Sequence, residues 1–238
     1  MKIVREETEL THAERFVRDA LAAGAIRFPP GGFELKGGRM SPYFFDIGAF
    51  SSNRALKRLS LAYAFRIEGM GLPEIVYGPP YKGIQLATAI SFALGEDHGC
   101  GPGPEIGIAS HRKEPKKHAE KGVLLGAPVK GKRVIVVDDV MTTGSSSGEA
   151  IQIIRAHGGN PVGCVIGLDR QERWSEESSL SAMQQFREQH EISVVAVATL
   201  ADLVAFLKKD YAENPRLNGE AGKRLDTILR YQERYGAA

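Results

Sequence analysis

At 238 residues, 42% hydrophobic and 25% charged, the chain has a globular composition and a length that suits one large α/β domain or two small ones, with core enough to fold without staples. Two cysteines, Cys100 and Cys164, are too few for a disulfide framework and lack metal-ligand spacing, and the charged start MKIVREETEL with no long apolar run argues against a signal peptide or membrane span, so a reducing cytoplasm is the expected setting. The net charge of +2 is unevenly placed: from His111 to Arg133 there are eight Lys or Arg against two Glu, which leaves −4 for the remainder, disfavours a diffuse nucleic-acid face and fits one site for a small polyanion.

In chain order, Thr11 to Gly24 reads as a helix, with Thr11 as N-cap, a stripe of Phe16, Val17, Ala20 and Leu21, and Gly24 as stop. Phe33 to Asp46 (FELKGGRMSPYFFD) reads as two short strands joined through Lys36, Gly37, Gly38 and Arg39. Asn53 to Gly69 is a second helix, with Leu56, Leu59, Tyr63 and Ile67 on one face. A strand–helix rhythm follows: strand Ile75 to Tyr77, helix Ile84 to Leu94, strand Glu105 to Ala109, strand from Val134, strand Pro161 to Leu168, helix Ser178 to His190, and strand Ile192 to Ala198. Two helices, Ala201 to Lys208 and Gly219 to Tyr235, end the chain, and Cys164 in its apolar run is expected to be a buried free thiol. Five strands with helical crossovers predict a doubly wound, mostly parallel sheet, with ligands at the strands' carboxyl ends. The expected organisation is one domain, with residues 1–53 forming a small N-terminal hood of helix and hairpin and 54–238 the core and final helices.

The stretch that organises the rest is Val134 to Ser146, VIVVDDVMTTGSS. Four β-branched residues predict a strand buried on both faces, and Asp138 and Asp139 fall where it emerges. Thr142, Thr143, Gly144 and the serines then lead into helical spacing, which offers main-chain N–H groups and a helix start to a phosphate. No Gly-Lys-Ser/Thr follows, so it is not a Walker A loop. Adjacent acids suit sugar hydroxyls or a divalent cation; a phosphorylated ribose satisfies both halves. The bland alternative is a buried strand with a polar turn.

Four other stretches carry chemistry. GPPYKGI (78–84) ends a core strand with a proline-fixed turn, Gly83 for close approach and Lys82 as a point charge, although such turns also occur where nothing binds. HRKEPKKHAEKG (111–122) is either a solvated charged loop or a cationic lid that excludes water over a departing polyphosphate. In SPYFFD (41–46), alternation sends one of Phe44 and Phe45 into the core and leaves the other for a planar base. Lys36 either reaches a phosphate or is simply solvated. In DRQER (169–173), Arg170 pairs with a carboxylate-bearing ligand or with a glutamate such as Glu172.

Taken together and in this order, these stretches resemble the orotate phosphoribosyltransferases of the type I phosphoribosyltransferase family. VIVVDDVMTTGSS resembles the phosphoribosyl-pyrophosphate (PRPP) signature, which purine enzymes and regulators of the same family share. The nucleobase assignment comes from FELKGGRMSPYFFD, GPPYKGI, HRKEPKKHAEKG and DRQER occurring with it, from about Arg27 to the last helices.

The resemblance implies transfer of a phosphoribosyl group from PRPP to orotate, giving orotidine 5′-phosphate. Asp138 and Asp139 would hold the ribose hydroxyls, and Val140, Met141, Thr142, Thr143, Gly144, Ser145 and Ser146 would wrap the 5′-phosphate. Tyr81, Lys82 and Lys36 would line the pyrophosphate. Arg112, Lys113, Lys116 and His118 would belong to a lid that reaches the neighbouring subunit of a homodimer, with Lys116 and His118 beside the reacting groups. Phe44, Phe45, Thr142 and Arg170 would surround orotate. Mg²⁺ would be held through substrate and water rather than by a protein cage. Pro80 and Ala119 stand where the family more often has alanine and glycine. A purine enzyme would not need Arg170, a PRPP-sensing regulator would need an output surface that this chain does not display, and the length leaves no room for a fused decarboxylase.

Overall fold

The computed structural model describes residues 10–35, 38–95, 103–114, 123–213 and 218–237. Lys36, Lys116 and His118, three of the expected substrate-binding residues, lie outside these ranges.

The central sheet has six strands: β5 (Ile75–Tyr77), β6 (Gly107–His111), β7 (Leu124–Gly126), β8 (Arg133–Val140), β9 (Asn160–Asp169) and β10 (Ser193–Thr199). They lie in the order β10-β9-β8-β5-β6-β7, parallel throughout except β7, which runs antiparallel to β6. The five parallel strands are those the apolar runs predict. The sixth is three residues long beside the basic loop, too short for a period to register. The β-branched run puts β8 inside the sheet: Val134 and Val136 pack on one face, Ile135 and Val137 on the other, all fully buried. From β5 the chain steps one way to β6 and later the other way to β8. The crevice between the carboxyl ends of β5 and β8 is thus the topological switch point, where open α/β sheets take their ligands.

Helices cover both faces. One layer holds α1 (His12–Ala22), α2 (Asn53–Glu68), α3 (Lys82–Leu94) and α6 (Leu200–Glu213); the other holds α4 (Ser145–Ala156) and α5 (Ala182–His190). Thr11 caps α1 as its sequence predicts, in a capping box with Glu14, whose carboxylate also pairs with Lys209 of α6. α5 starts four residues later than Ser178, because the box that begins it is Ser181 with Gln184. The thiol of Cys164 is free and buried in β9.

The N-terminal hood contains two pairs of very short antiparallel strands. β1 (Ile26–Arg27) pairs with β4 (Phe44–Phe45), and β2 (Phe33–Glu34) pairs with β3 (Met40–Ser41). The sequence reading recognises the second pair but has no signal for β1. α7 (Asn218–Tyr235) returns to the hood, and the Tyr231 ring meets the Tyr43 ring edge-on at 6.5 Å.

Candidate active site

β8 runs on through both acids to Val140, so Asp138 and Asp139 sit in its last turn of pleat rather than beyond it. Asp138 Oδ1 accepts the Asp139 N–H at 3.0 Å and Oδ2 accepts Ser147 Oγ at 2.9 Å, which ties the strand to α4. Asp139 Oδ1 accepts the Val140 N–H at 2.7 Å. Burial pushes the Asp139 carboxyl above the usual carboxylate range, against the pull of that bond and of Lys82. Below the pair, the Tyr63 hydroxyl of α2 donates to the Asp138 carbonyl at 2.8 Å.

Thr142 and Thr143 are exposed in the turn, and Gly144, at φ +64°, begins α4. A Cβ at Gly144 would stand 2.5 Å from Phe186 of α5, so only glycine serves there. Ser145 and Ser146 open the helix, whose first N–H groups face outward from the strand end. The Met141 side chain is buried in the α4–α5 layer.

On the other side of the switch point, the turn 78–83 closes on itself: a Cβ at Gly78 would lie 1.8 Å from the Gly83 carbonyl oxygen. Tyr81 projects from it, 71% exposed, and Lys113 Nζ lies 4.8 Å from that ring's centre, so the first described residues of the basic segment meet this turn. Arg112 is held at the mouth of that segment by its N–H, which donates to the Val123 carbonyl at 2.9 Å. Lys82, the first residue of α3, donates to Asp46 Oδ1 at 2.7 Å and lies 3.8 Å from Asp139. Burial alone would lower the Lys82 pKa; the bond to Asp46 and the Asp139 charge outweigh it and raise it. Asp46 is a residue the sequence reading passes over. The available signal is an acid placed directly after the two phenylalanines.

The far end of the site is built differently. Arg170, only 4% exposed at the end of β9, donates Nε to Glu172 Oε1 at 2.7 Å and Nη2 to Ser41 Oγ at 2.8 Å, with its guanidinium 4.3 Å from the centre of the Tyr43 ring. Of the two partners open from sequence, Glu172 is therefore present in the structure, while Arg170 also borders the cavity. Glu172 further accepts from the Tyr231 hydroxyl at 2.9 Å, and burial followed by this carboxylate pushes the Tyr231 pKa up to about 12. Phe45 turns into the core, 4% exposed, with its ring centre 6.0 Å from that of Phe16; Phe44 is the half-buried member that faces the cavity.

These two ends enclose one cavity of about 590 Å³. Its walls include Lys82, Asp138, Asp139, Val140, Thr142 to Ser146, Phe44, Phe45 and Arg170, all expected from sequence, with Phe33, Glu34 and Leu35 added by the hood. Tyr81, Arg112, Lys113 and Met141 do not line it. A larger groove, about 710 Å³, lies between the hood and α7 and holds neither the acid pair nor the phosphate turn. The smaller cavity is the one lined by the acid pair and the turn into α4. Among the described residues no group of three or more His, Cys, Asp or Glu is placed to hold a metal ion, and no helix is long and apolar enough to cross a membrane.

Comparison with known proteins agrees with this geometry. Residues 51–201 match the family described as the phosphoribosyl transferase domain. The curated orotate phosphoribosyltransferase of Xanthomonas campestris pv. campestris (strain B100) is 45% identical over 226 residues, covering 94% of this chain and 96% of that one. The chain belongs to the orotate phosphoribosyltransferase family. The Stenotrophomonas maltophilia (strain K279a) orotate phosphoribosyltransferase is 47% identical over 209 residues, covering 87% of this chain and 90% of its own. Among solved structures, the orotate phosphoribosyltransferase of Francisella tularensis superposes with a TM-score of 0.74 at 32% identity, over 93% of this chain and 99% of that one. The doubly wound sheet and small hood are thus those of an orotate phosphoribosyltransferase.

Proposed function

We propose that the chain transfers the 5-phosphoribosyl group of PRPP to the ring nitrogen of orotate, releasing pyrophosphate and orotidine 5′-phosphate, a step of pyrimidine nucleotide synthesis. The observation that carries this reading is one cavity joining the acid pair and helix start at the switch point to a guanidinium fixed beside aromatic rings.

In this reading the N–H groups of residues 142–146 receive the 5′-phosphate, and Asp138 and Asp139 accept the ribose hydroxyls. Lys82 and Tyr81 receive the pyrophosphate, joined by Lys36 and by the basic segment's Arg112, Lys113, Lys116 and His118. Bond breaking at the anomeric carbon runs ahead of bond making: the pyrophosphate oxygen leaves with the electron pair of the C–O bond, and the orotate nitrogen supplies the pair of the new C–N bond. Positive charge therefore develops on the ribose beside the two carboxylates, and negative charge on pyrophosphate beside the lysines. Positioning and fixed charge supply the rate, with no covalent enzyme intermediate. Lys82 exchanges Asp46 for the arriving phosphate oxygens, a short movement for a half-exposed lysine. Arg170, held by Glu172 and Ser41, presents a fixed positive edge toward the orotate carboxylate. The donor set suits Mg²⁺ as a substrate-borne ion: among the described residues Asp138 and Asp139 offer two carboxylates and no cluster of three or more ligating side chains, so most of its shell would be ligand and water oxygens. When bound, Mg²⁺ would offset the charge of the leaving pyrophosphate. The reading also includes a homodimer whose basic segment serves the neighbouring subunit, acting in the cytoplasm.

The test mixes the protein with orotate, PRPP and Mg²⁺ and follows the loss of orotate absorbance, with hypoxanthine and adenine in parallel. Orotate consumption with formation of orotidine 5′-phosphate is expected. Turnover of a purine without turnover of orotate would overturn the reading.

A further inference from the structure

We infer that the ring the pyrimidine meets is Phe33, and that this residue sets how tightly the base is held; the inference rests on the orotate reading above. Phe44, the ring that the structure leaves outside the core, is already half-buried. The Arg27 guanidinium lies 5.1 Å from its centre, and the Phe33 ring leans on it at 4.2 Å, tilted by 45°. Phe45 is committed to the core. Phe33 is 38% exposed and stands on the cavity wall that Asp139 and Arg170 also form. A large aromatic left partly in water inside a polar cleft is apolar surface that a flat ligand would cover.

The placement of Phe33 is built into the backbone. Gly32 holds φ at +85°, and a Cβ there would stand 2.9 Å from the Ser41 carbonyl oxygen, so the β2–β3 pair closes only with glycine at that point. In that pair Phe33 faces Ser41, whose hydroxyl oxygen accepts the Arg170 Nη2–H. One strand pair thus carries both an apolar ring and the hydroxyl that holds a guanidinium, and ring and guanidinium border the same cavity. A planar heterocycle with a carboxylate on its edge matches both.

The test is steady-state kinetics of Phe33→Ala, Phe33→Leu and Phe33→Tyr with orotate and PRPP varied separately, alongside the unaltered enzyme. Phe33→Ala should raise the KM for orotate about tenfold and leave the KM for PRPP within about twofold, the size of one lost base–aromatic stack. Phe33→Leu should fall between, and Phe33→Tyr should behave as the parent. A direct readout places the fluorophore at the site: Phe33→Trp combined with Trp174→Phe, titrated with orotidine 5′-phosphate and with ribose 5-phosphate. Quenching by the nucleotide alone is expected. An unchanged orotate KM in Phe33→Ala, a parallel rise in both KM values, or no quenching by the nucleotide would overturn the role of Phe33. An unaltered enzyme that does not consume orotate would instead overturn the function itself.

Discussion

The two ends of the cavity are made by different means. The end proposed for the phosphate is main chain: a central strand, a glycine at positive φ and the start of α4, all seated on fully buried valines and isoleucines. The end proposed for the base is side chain: two-residue strands that cannot stand alone, held by Arg170, Glu172, Ser41 and Tyr231 through a handful of polar bonds. The phosphate end should therefore tolerate many side-chain changes and few backbone ones, and the base end the reverse.

The largest break should come from Arg170→Met. It leaves Glu172 nearly buried with Arg39 at 3.6 Å and the Tyr231 hydroxyl as remaining partners, so stability should fall by about 3 kcal/mol in urea unfolding. Orotate kcat/KM should fall about a hundredfold while the PRPP KM moves little. Gly144→Ala attacks the other end: positive φ and the approach to Phe186 should cost about 2 kcal/mol, and PRPP kcat/KM should fall about a hundredfold because the helix start is displaced. If Gly144→Ala spared PRPP and raised the orotate KM, the division between the two ends would be wrong.

Ser41→Ala sharpens the comparison. It removes one partner of a buried guanidinium, so a loss of about 1 kcal/mol and a several-fold rise in the orotate KM are expected, read by the same two assays. The smallest effect concerns Asp139. Its folded-state pKa is raised, chiefly by burial, so folding stability is lost as pH rises from the unfolded carboxylate value, about 3.9, through the raised folded value. Asp139→Asn lacks this cost. Unfolding midpoints of the two proteins should therefore converge at the acid end and separate with rising pH, by about 1 kcal/mol or less in favour of the variant. A gap of constant size across the range would remove burial of the charge as its cause.

The same contrast governs what could be read without coordinates. β8, the acids and the turn to α4 were legible because burial on both faces leaves an unbroken apolar run, and a polar turn marks its end. The five parallel strands and the α1 cap followed from equally local signals. The base end was legible only as a set of candidates. Strands of two residues have no period, so β1 and its pairing with β4 left no trace. Whether Arg170 met Glu172, two residues on, depended on the conformation of the chain after β9, and the capture of Lys82 by Asp46 and of Asp138 by Ser147 depended on elements brought together by the fold. Phe44 and Phe45 could be split into one inward and one outward ring, but Phe33 joined them only once β2 was folded over β4.

The contact between Gly78 and Gly83 has a consequence for how such an enzyme can diversify. The Pro79–Tyr81 turn leaves β5 at Gly78 and comes back against that same residue at Gly83, in the first turn of α3, so its side chains hang from a backbone crossing that they do not build. In the proposed reading, where this turn receives pyrophosphate, replacements there would retune the hold on the leaving group alone, like a fitting changed on a fixed mount.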